Sequence, residues 1–312
     1  MGASSTDNDG LTGRLSVSRL SRSTRDAWYR SGAYQSVLRR EVRTEFRRPI
    51  PLRSGECDPE VGAIVLDGRL PHAGRMLPFG TLPWTVPPPG ARAAEVMHGF
   101  TWMGGLRVLG TAEARARAQD LLRGWIRANP RWSAVAWQPA TLGRRVVAWI
   151  GSADFVIGDS ADESLRTAFF RSLSMQARHL VRAAAHESGT DAAFAAVRGR
   201  IAAALALEIG DIDGALDLLE REIERQILAD GCHIQRNPTI HLMVLRDLLD
   251  MRVMLADADA EVPLMLTDAI ERMVAILRFF RYGDGGLALF HGGKEGVVHE
   301  IDATLADAGV KE

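Results

Sequence analysis

From Ala91 to Phe280 apolar side chains recur every three or four positions, the spacing that lays them along one face of an α-helix. The stretches that carry this pattern are 97–109, 112–126, 146–157, 165–181, 192–207, 216–228, 242–255 and 266–280. In the sixth, Leu216, Leu219, Ile223 and Ile227 form the apolar stripe, while Asp217, Glu220, Arg221, Glu224 and Arg225 face away. Gly110, Asn129-Pro130, Gly158, Gly189, Gly210 and Asp230-Gly231 punctuate the stretches as helix stops. Helices of similar length on short turns pack as successive antiparallel hairpins, so residues 91–290 predict an all-α array. Periodicity leaves two outcomes open: partial closure into an α/α toroid, or an open solenoid.

Residues 1–90 read differently. Pro49, Pro51, Pro71, Pro78, Pro83 and the run Pro87-Pro88-Pro89-Gly90 exclude long helices over most of the segment. Residues 26–46 suit one or two helices and residues 62–77 short extended pieces, giving an irregular N-terminal arm.

Composition narrows the classes. With 46% apolar and 25% charged residues the chain reads as a globular protein, and its formal net charge of −1 excludes a general nucleic-acid binder. Lysine occurs only at Lys294 and Lys311, so nearly every cation is a guanidinium, suited to bidentate contact with carboxylate or sulfate. Cys57 and Cys232 stand too far apart in sequence to suggest a disulfide framework or a metal site. The polar start and the Arg/Ser-rich run 14–25 hold no apolar segment of signal-peptide or membrane-span length, which reads as a cytoplasmic chain with no membrane partner.

Two segments carry candidate chemistry. All seven tryptophans precede residue 150, and Trp132, Trp137, Arg144, Arg145 and Trp149 lie closest together. Taken singly, such tryptophans anchor helix hairpins in a core. Taken with the arginines, they suggest a groove in which sugar rings stack on Trp137 and Trp149 and uronate carboxylates pair with Arg144 and Arg145. The second segment is Asp230-Gly231-Cys232-His233-Ile234-Gln235-Arg236-Asn237-Pro238-Thr239-Ile240-His241. Helix termination explains Gly231, and a new N-cap explains Asn237 and Pro238. His233 and Arg236 have no such local explanation. Elimination across a uronic acid needs a group that neutralises the carboxylate, a base and an acid. Arg236 or Asn237 suits the first role, and His233 or His241 the second.

The pattern Gln226-Ile-Leu-x-Asp230-Gly231-x-His233-x-x-Arg236-Asn237-Pro238 resembles the bacterial heparinase II/III family. So do Trp137-x-Pro139…Arg145-x-x-x-Trp149 upstream and Arg278-Phe-Phe-Arg281-x-Gly-Asp284-Gly-Gly-Leu-Ala-Leu-Phe290 downstream, the likeness covering about residues 95–293. The resemblance implies an incomplete α/α toroid joined to a C-terminal β-sandwich, and a lyase acting by β-elimination on acidic polysaccharides such as heparan sulfate or alginate. It also implies a periplasmic alternative for location. The family's catalytic tyrosine falls at Ile240, and its neutralising asparagine has no counterpart in 192–207, where Arg198 or Arg200 is the available substitute. Residues 291–312 form a tail too short for the β-sandwich, whose histidine and metal site are therefore expected to be missing, leaving no cofactor in this chain. A non-catalytic acidic-glycan-binding or scaffold module is the second reading. A toroid glycoside hydrolase is the third, disfavoured because carboxylates near the second segment are sparse beyond Asp230 and Asp284.

Overall fold

A computed structural model of the chain describes residues 22–50, 57–80, 83–158 and 161–309. Helix α1 over 22–30 and helix α2 (Gly32–Leu38) match the arm's expected helical pieces. The next part corrects the sequence reading: Pro59–Leu66 is a helix, α3, and only Arg69–His72 (β1) and Arg75–Pro78 (β2) are extended. Pro59 occupies the first turn, and Asp58 caps it by accepting from Glu60 N at 2.8 Å. β1 and β2 pair as an antiparallel hairpin, the one sheet among the described residues.

The helical body follows as α4 (Ala91–Gly99), α5 (Met103–Leu109), α6 (Ala112–Ala128), α7 (Pro139–Gly151), α8 (Ala153–Ile157), α9 (Glu163–Ala183), α10 (Ala192–Leu207), α11 (Ile212–Gln226), α12 (Pro238–Asp257) and α13 (Leu264–Phe280). The single helix expected over 97–109 is broken between α4 and α5. Phe100 takes a left-handed backbone, φ 59°, and both Phe100 and Trp102 turn into the core, with ring centroids 4.8 Å apart. Residues 298–307 of the expected tail form one more helix, α14 (Val298–Asp307). It is tied to α12 through Arg246, which reaches Glu300 at 3.2 Å and Thr304 Oγ1 at 3.0 Å.

Inner and outer helices differ by sequence. α6, α11 and α13 bury one face, whereas α7 and α10 are buried nearly all round. α10, AAFAAVRGRIAAALAL, sits at the centre against α7, α9, α11 and α12. Its small residues permit a very close crossing with α7. A Cβ built on Gly143 of α7 would collide with Ala195 O, and one on Gly199 with the backbone of Gly143. The helices therefore touch backbone to backbone, with no side chain between them. The result is the all-α, incomplete toroid of helix hairpins expected above, with one apolar core running from Tyr29 to Leu305. Among the described residues no helix is long and apolar enough to cross a membrane.

Candidate functional site

The α11–α12 turn holds the motif residues, and the structure shows what most of them do. Gly231 takes φ 85° in a spot where any Cβ would strike the backbone of Arg272, which accounts for the glycine twice over. His233 and His241 are both fully buried. His233 Nδ1 accepts from Gln235 N at 3.3 Å, and its Nε2 lies 3.1 Å from Gln226 Oε1. His241 Nδ1 accepts from His233 N at 3.3 Å, leaving Nε2 to donate to Met273 O at 2.8 Å. Each ring is thus satisfied as a neutral Nε2–H tautomer. Burial lowers both pKa values, that of His241 to about 4.

The network continues inward. Gln226 donates to Thr190 O at 2.9 Å and to Glu222 Oε2 at 2.7 Å. Glu222, itself fully buried, also accepts from Gly189 N at 2.8 Å, from Arg225 at 3.1 Å and from Ser188 Oγ. Asn237 is consumed at both ends: Oδ1 accepts from Thr239 N and Ile240 N at 2.9 and 3.1 Å, and Nδ2 donates to His291 O at 2.8 Å. Arg236 remains half-exposed and pairs with Asp230 at 2.9 Å. The expected base, His233 or His241, therefore lies sealed inside a turn-closing network, and this corrects the reading that nothing local requires an imidazole at 233.

The tryptophan–arginine stripe is corrected as well. Trp149 is buried and stacks on Phe169 at 5.4 Å, facing no groove. Arg145 is buried, its Cζ 4.2 Å from the Trp125 ring centre, with Nε donating to Gln176 Oε1 at 2.6 Å and Nη1 to His98 O at 2.7 Å. Spacing could not reveal this, because α7 is an inner helix with hardly any solvent face. Arg144 does reach a hollow of about 300 Å³, shared with Arg198, Thr239 and Arg246. Arg198 is no stand-in for a neutralising group, being buried against Asp247 at 3.3 Å and against Asp250. Arg200 lies 3.7 Å from Asp211.

Trp137 leads to a different place. It walls a cavity of about 480 Å³ with Tyr29, Trp132, His179, His186 and Glu187. His179 is the hub: Tyr29, Trp137 and Trp132 surround it at centroid distances of 4.7, 5.6 and 6.5 Å. Its Nδ1 lies 2.6 Å from Tyr34 Oη, and burial lowers its pKa to about 3. Tyr29 Oη is 3.4 Å from His186 Nδ1. Burial raises the pKa of Glu187, with Glu95 adding to the shift against the pull of Arg22 and Arg25. Tyr29, His179, His186 and Glu187 were missed in the sequence. They come from α1, α9 and the turn after α9, and no periodic signal links them. The motif reaches this cavity only at Thr190, whose carbonyl holds Gln226. Among the described residues no group of three or more His, Cys, Asp or Glu side chains is placed to hold a metal ion.

Comparison with known proteins agrees with the fold. Residues 114–306 match the family described as Heparinase II/III N-terminus. The chain is 33% identical over 289 residues to FtsZ-localized protein C of Caulobacter vibrioides (strain NA1000 / CB15N), a match that covers 90% of this chain and 49% of that protein. It is also similar to a crystal structure of heparinase III, with a TM-score of 0.60 at 16% identity over 81% of this chain and 43% of the other. A mutant of the heparan sulfate lyase HepC from Pedobacter heparinus gives 0.56 at 18% identity over 84% and 43%. The chain thus spans about half the length of the relatives it matches.

Proposed function

The chain belongs to the heparinase II/III family, of which it carries the N-terminal helical domain, and on that premise we propose that it is a non-catalytic binding module rather than a lyase. The observation that carries this reading is the sealed state of His233 and His241. A general base must come within hydrogen-bond reach of the proton it removes. Both imidazoles instead spend their two nitrogens inside the protein, and Ile240 stands where the lyases have their acid. The likeness to two lyase structures supports the lyase reading by fold alone, and fold is compatible with many functions.

The curated relative, named for its localisation to FtsZ, is the better guide to role. We read this chain as sharing that localisation, its helical domain serving as a scaffold. Two measurements test the proposal. Incubation of the full chain with heparan sulfate, alginate and hyaluronan is expected to leave the ultraviolet absorbance of the unsaturated uronyl product at baseline. Product that is abolished by His233→Ala or His241→Ala overturns the non-catalytic reading. A fluorescent fusion of the full protein is expected to coincide with FtsZ in its own cells, and a diffuse signal removes the scaffold role.

A further inference from the structure

Helix α14 is held to the body mainly by charge. Of its ten residues only Ile301, Thr304 and Leu305 are buried, so little apolar surface anchors it. Three arginines from other elements grip it instead. Arg246 of α12 donates to Glu300 Oε2 at 3.2 Å, to Glu300 O at 3.0 Å and to Thr304 Oγ1 at 3.0 Å. Arg252, further along α12, donates to Asp307 O at 2.8 Å. Arg281, just beyond the end of α13, lies 2.5 Å from Asp302 Oδ1. The Arg246–Glu300 and Arg281–Asp302 pairs are half-exposed, so each is weak and is screened by salt.

The same helix roofs a hollow. Glu300, Thr304 and Asp307, spaced four and three apart, turn one face of α14 over the space of about 300 Å³ whose floor carries Arg144 of α7, Arg198 of α10 and Met243 of α12. That floor belongs to the inner part of the fold, where Arg198 is already paired with Asp247 and Asp250. The chain leading to the roof is tied down as far as Glu295: Lys294 N donates to Thr239 Oγ1 at 2.7 Å, and Leu287 N to Glu295 O at 2.7 Å. Gly296 follows in a left-handed conformation, φ 76°, and α14 begins two residues later at Val298. A glycine at that point gives the backbone the freedom to swing the helix as a unit.

We infer that α14 is an electrostatic strap, which closes the hollow while its arginine clasps are engaged and swings away about Gly296 when they are screened or removed. Segments with few buried apolar contacts open at a free energy well below that of global unfolding. Opening exposes Ile301 and Leu305 and leaves the Gly143–Gly199 crossing intact. The strap goes beyond the binding-module reading and does not depend on it, since the hollow is covered in the same way whatever the domain does.

The test is amide hydrogen exchange of the full chain in about 20 and about 500 mM sodium chloride, which shortens the screening length from about 20 Å to about 4 Å. Exchange over 298–307 is expected to rise about threefold or more with salt, while that over 192–207 stays constant. At low salt Arg246→Ala should raise it by about tenfold, and Glu300→Gln by a smaller factor, and each should reduce the salt dependence. Cover of the hollow is read separately, from the rate at which a bulky maleimide labels Met243→Cys in a chain that also carries Cys57→Ser. Arg281→Ala, whose side chain lies outside the hollow, should speed that labelling, as should salt. Equal exchange over 298–307 at both salt concentrations overturns the electrostatic closure, and a labelling rate untouched by Arg281→Ala overturns the roof. Melting curves identify a variant that fails to fold, and Glu300→Gln, which removes a charge and keeps the volume, then carries the comparison. Lyase product in the assay above would overturn the non-catalytic reading and leave the strap standing.

Discussion

The α11–α12 turn and the His179 cavity draw on similar side chains, yet one is closed and the other open. In the turn, His233, His241, Gln226 and Glu222 spend their polar atoms on one another and on backbone. Around His179, the buried ring is likewise satisfied, by Tyr34, but its neighbours Trp132, Glu187 and His186 face a hollow. A recognisable motif can thus be a device of folding, while a cavity is assembled from residues that form no motif. The difference is one of satisfaction: polar groups that are fully paired inside the protein hold shape, and groups left with capacity at a cavity wall can take a ligand.

The largest expected effect draws on both regions and on His98, buried beside Trp125. His98, His179 and His241 have folded-state pKa values of about 4, 3 and 4, below the ordinary 6.5, because burial disfavours the charged ring. The unfolded chain therefore binds more protons as pH drops below about 6.5, so stability is intact above that value and is lost progressively toward pH 4 and below. Each histidine contributes on the order of 3 kcal/mol once the pH is below its folded pKa. Urea denaturation at a series of pH values should show this decline, and a flat profile from pH 7 to about pH 4 would contradict the neutral assignment of the rings.

Within the turn, Glu222→Ala should cost about 3–5 kcal/mol, since it leaves buried donors from Gly189, Ser188 and Gln226 without their acceptor. Equilibrium denaturation measures it, and a loss under about 1 kcal/mol would mean that the network is not needed for the fold. His241→Ala should cost roughly 2–4 kcal/mol, from an emptied core position and the loss of the partner for Met273 O. It should also reduce the acid sensitivity, which separates a buried neutral histidine from a merely space-filling one. At the cavity, Trp132→Ala is expected to change stability least, by about 1 kcal/mol, because the ring is only half-buried. If this variant melts as early as His241→Ala, the cavity wall is part of the core and the contrast between the regions fails.

Much of the fold was legible because periodicity reports on burial. The stretch 192–207 coincides with α10, and 266–280 falls within α13. The breaks at Phe100 and Ser152 were passed over although a glycine, Gly99 or Gly151, stands directly before each, because the apolar spacing runs on through them. Asn237 was read correctly as an N-cap, whereas Gly231, read as the stop of the preceding helix, lies in the turn beyond it, since α11 ends at Gln226. Arg145 and Trp149 were placed on a groove because four-residue spacing gives a shared face but not its environment, and α7 is enclosed on nearly all sides. Tyr29 and His186 lie 157 positions apart and meet only through tertiary packing, beyond the reach of any local pattern.

The backbone contact between Gly143 and Gly199 also sets which wall of the cavity is stiff. Packed helices normally slide past each other by small changes of rotamer in the side chains between them. At this crossing no side chain intervenes, so α7 and α10 lack that lubricating layer there and resist sliding as one stiff beam. Trp137 and Pro139, at the start of α7, belong to that beam and form the fixed jaw of the cavity. The opposing jaw includes Arg22, Arg25 and Tyr29 on α1, which makes no glycine backbone contact of this kind among the described residues. Amide hydrogen exchange is therefore expected to be faster over 22–30 than over 139–151.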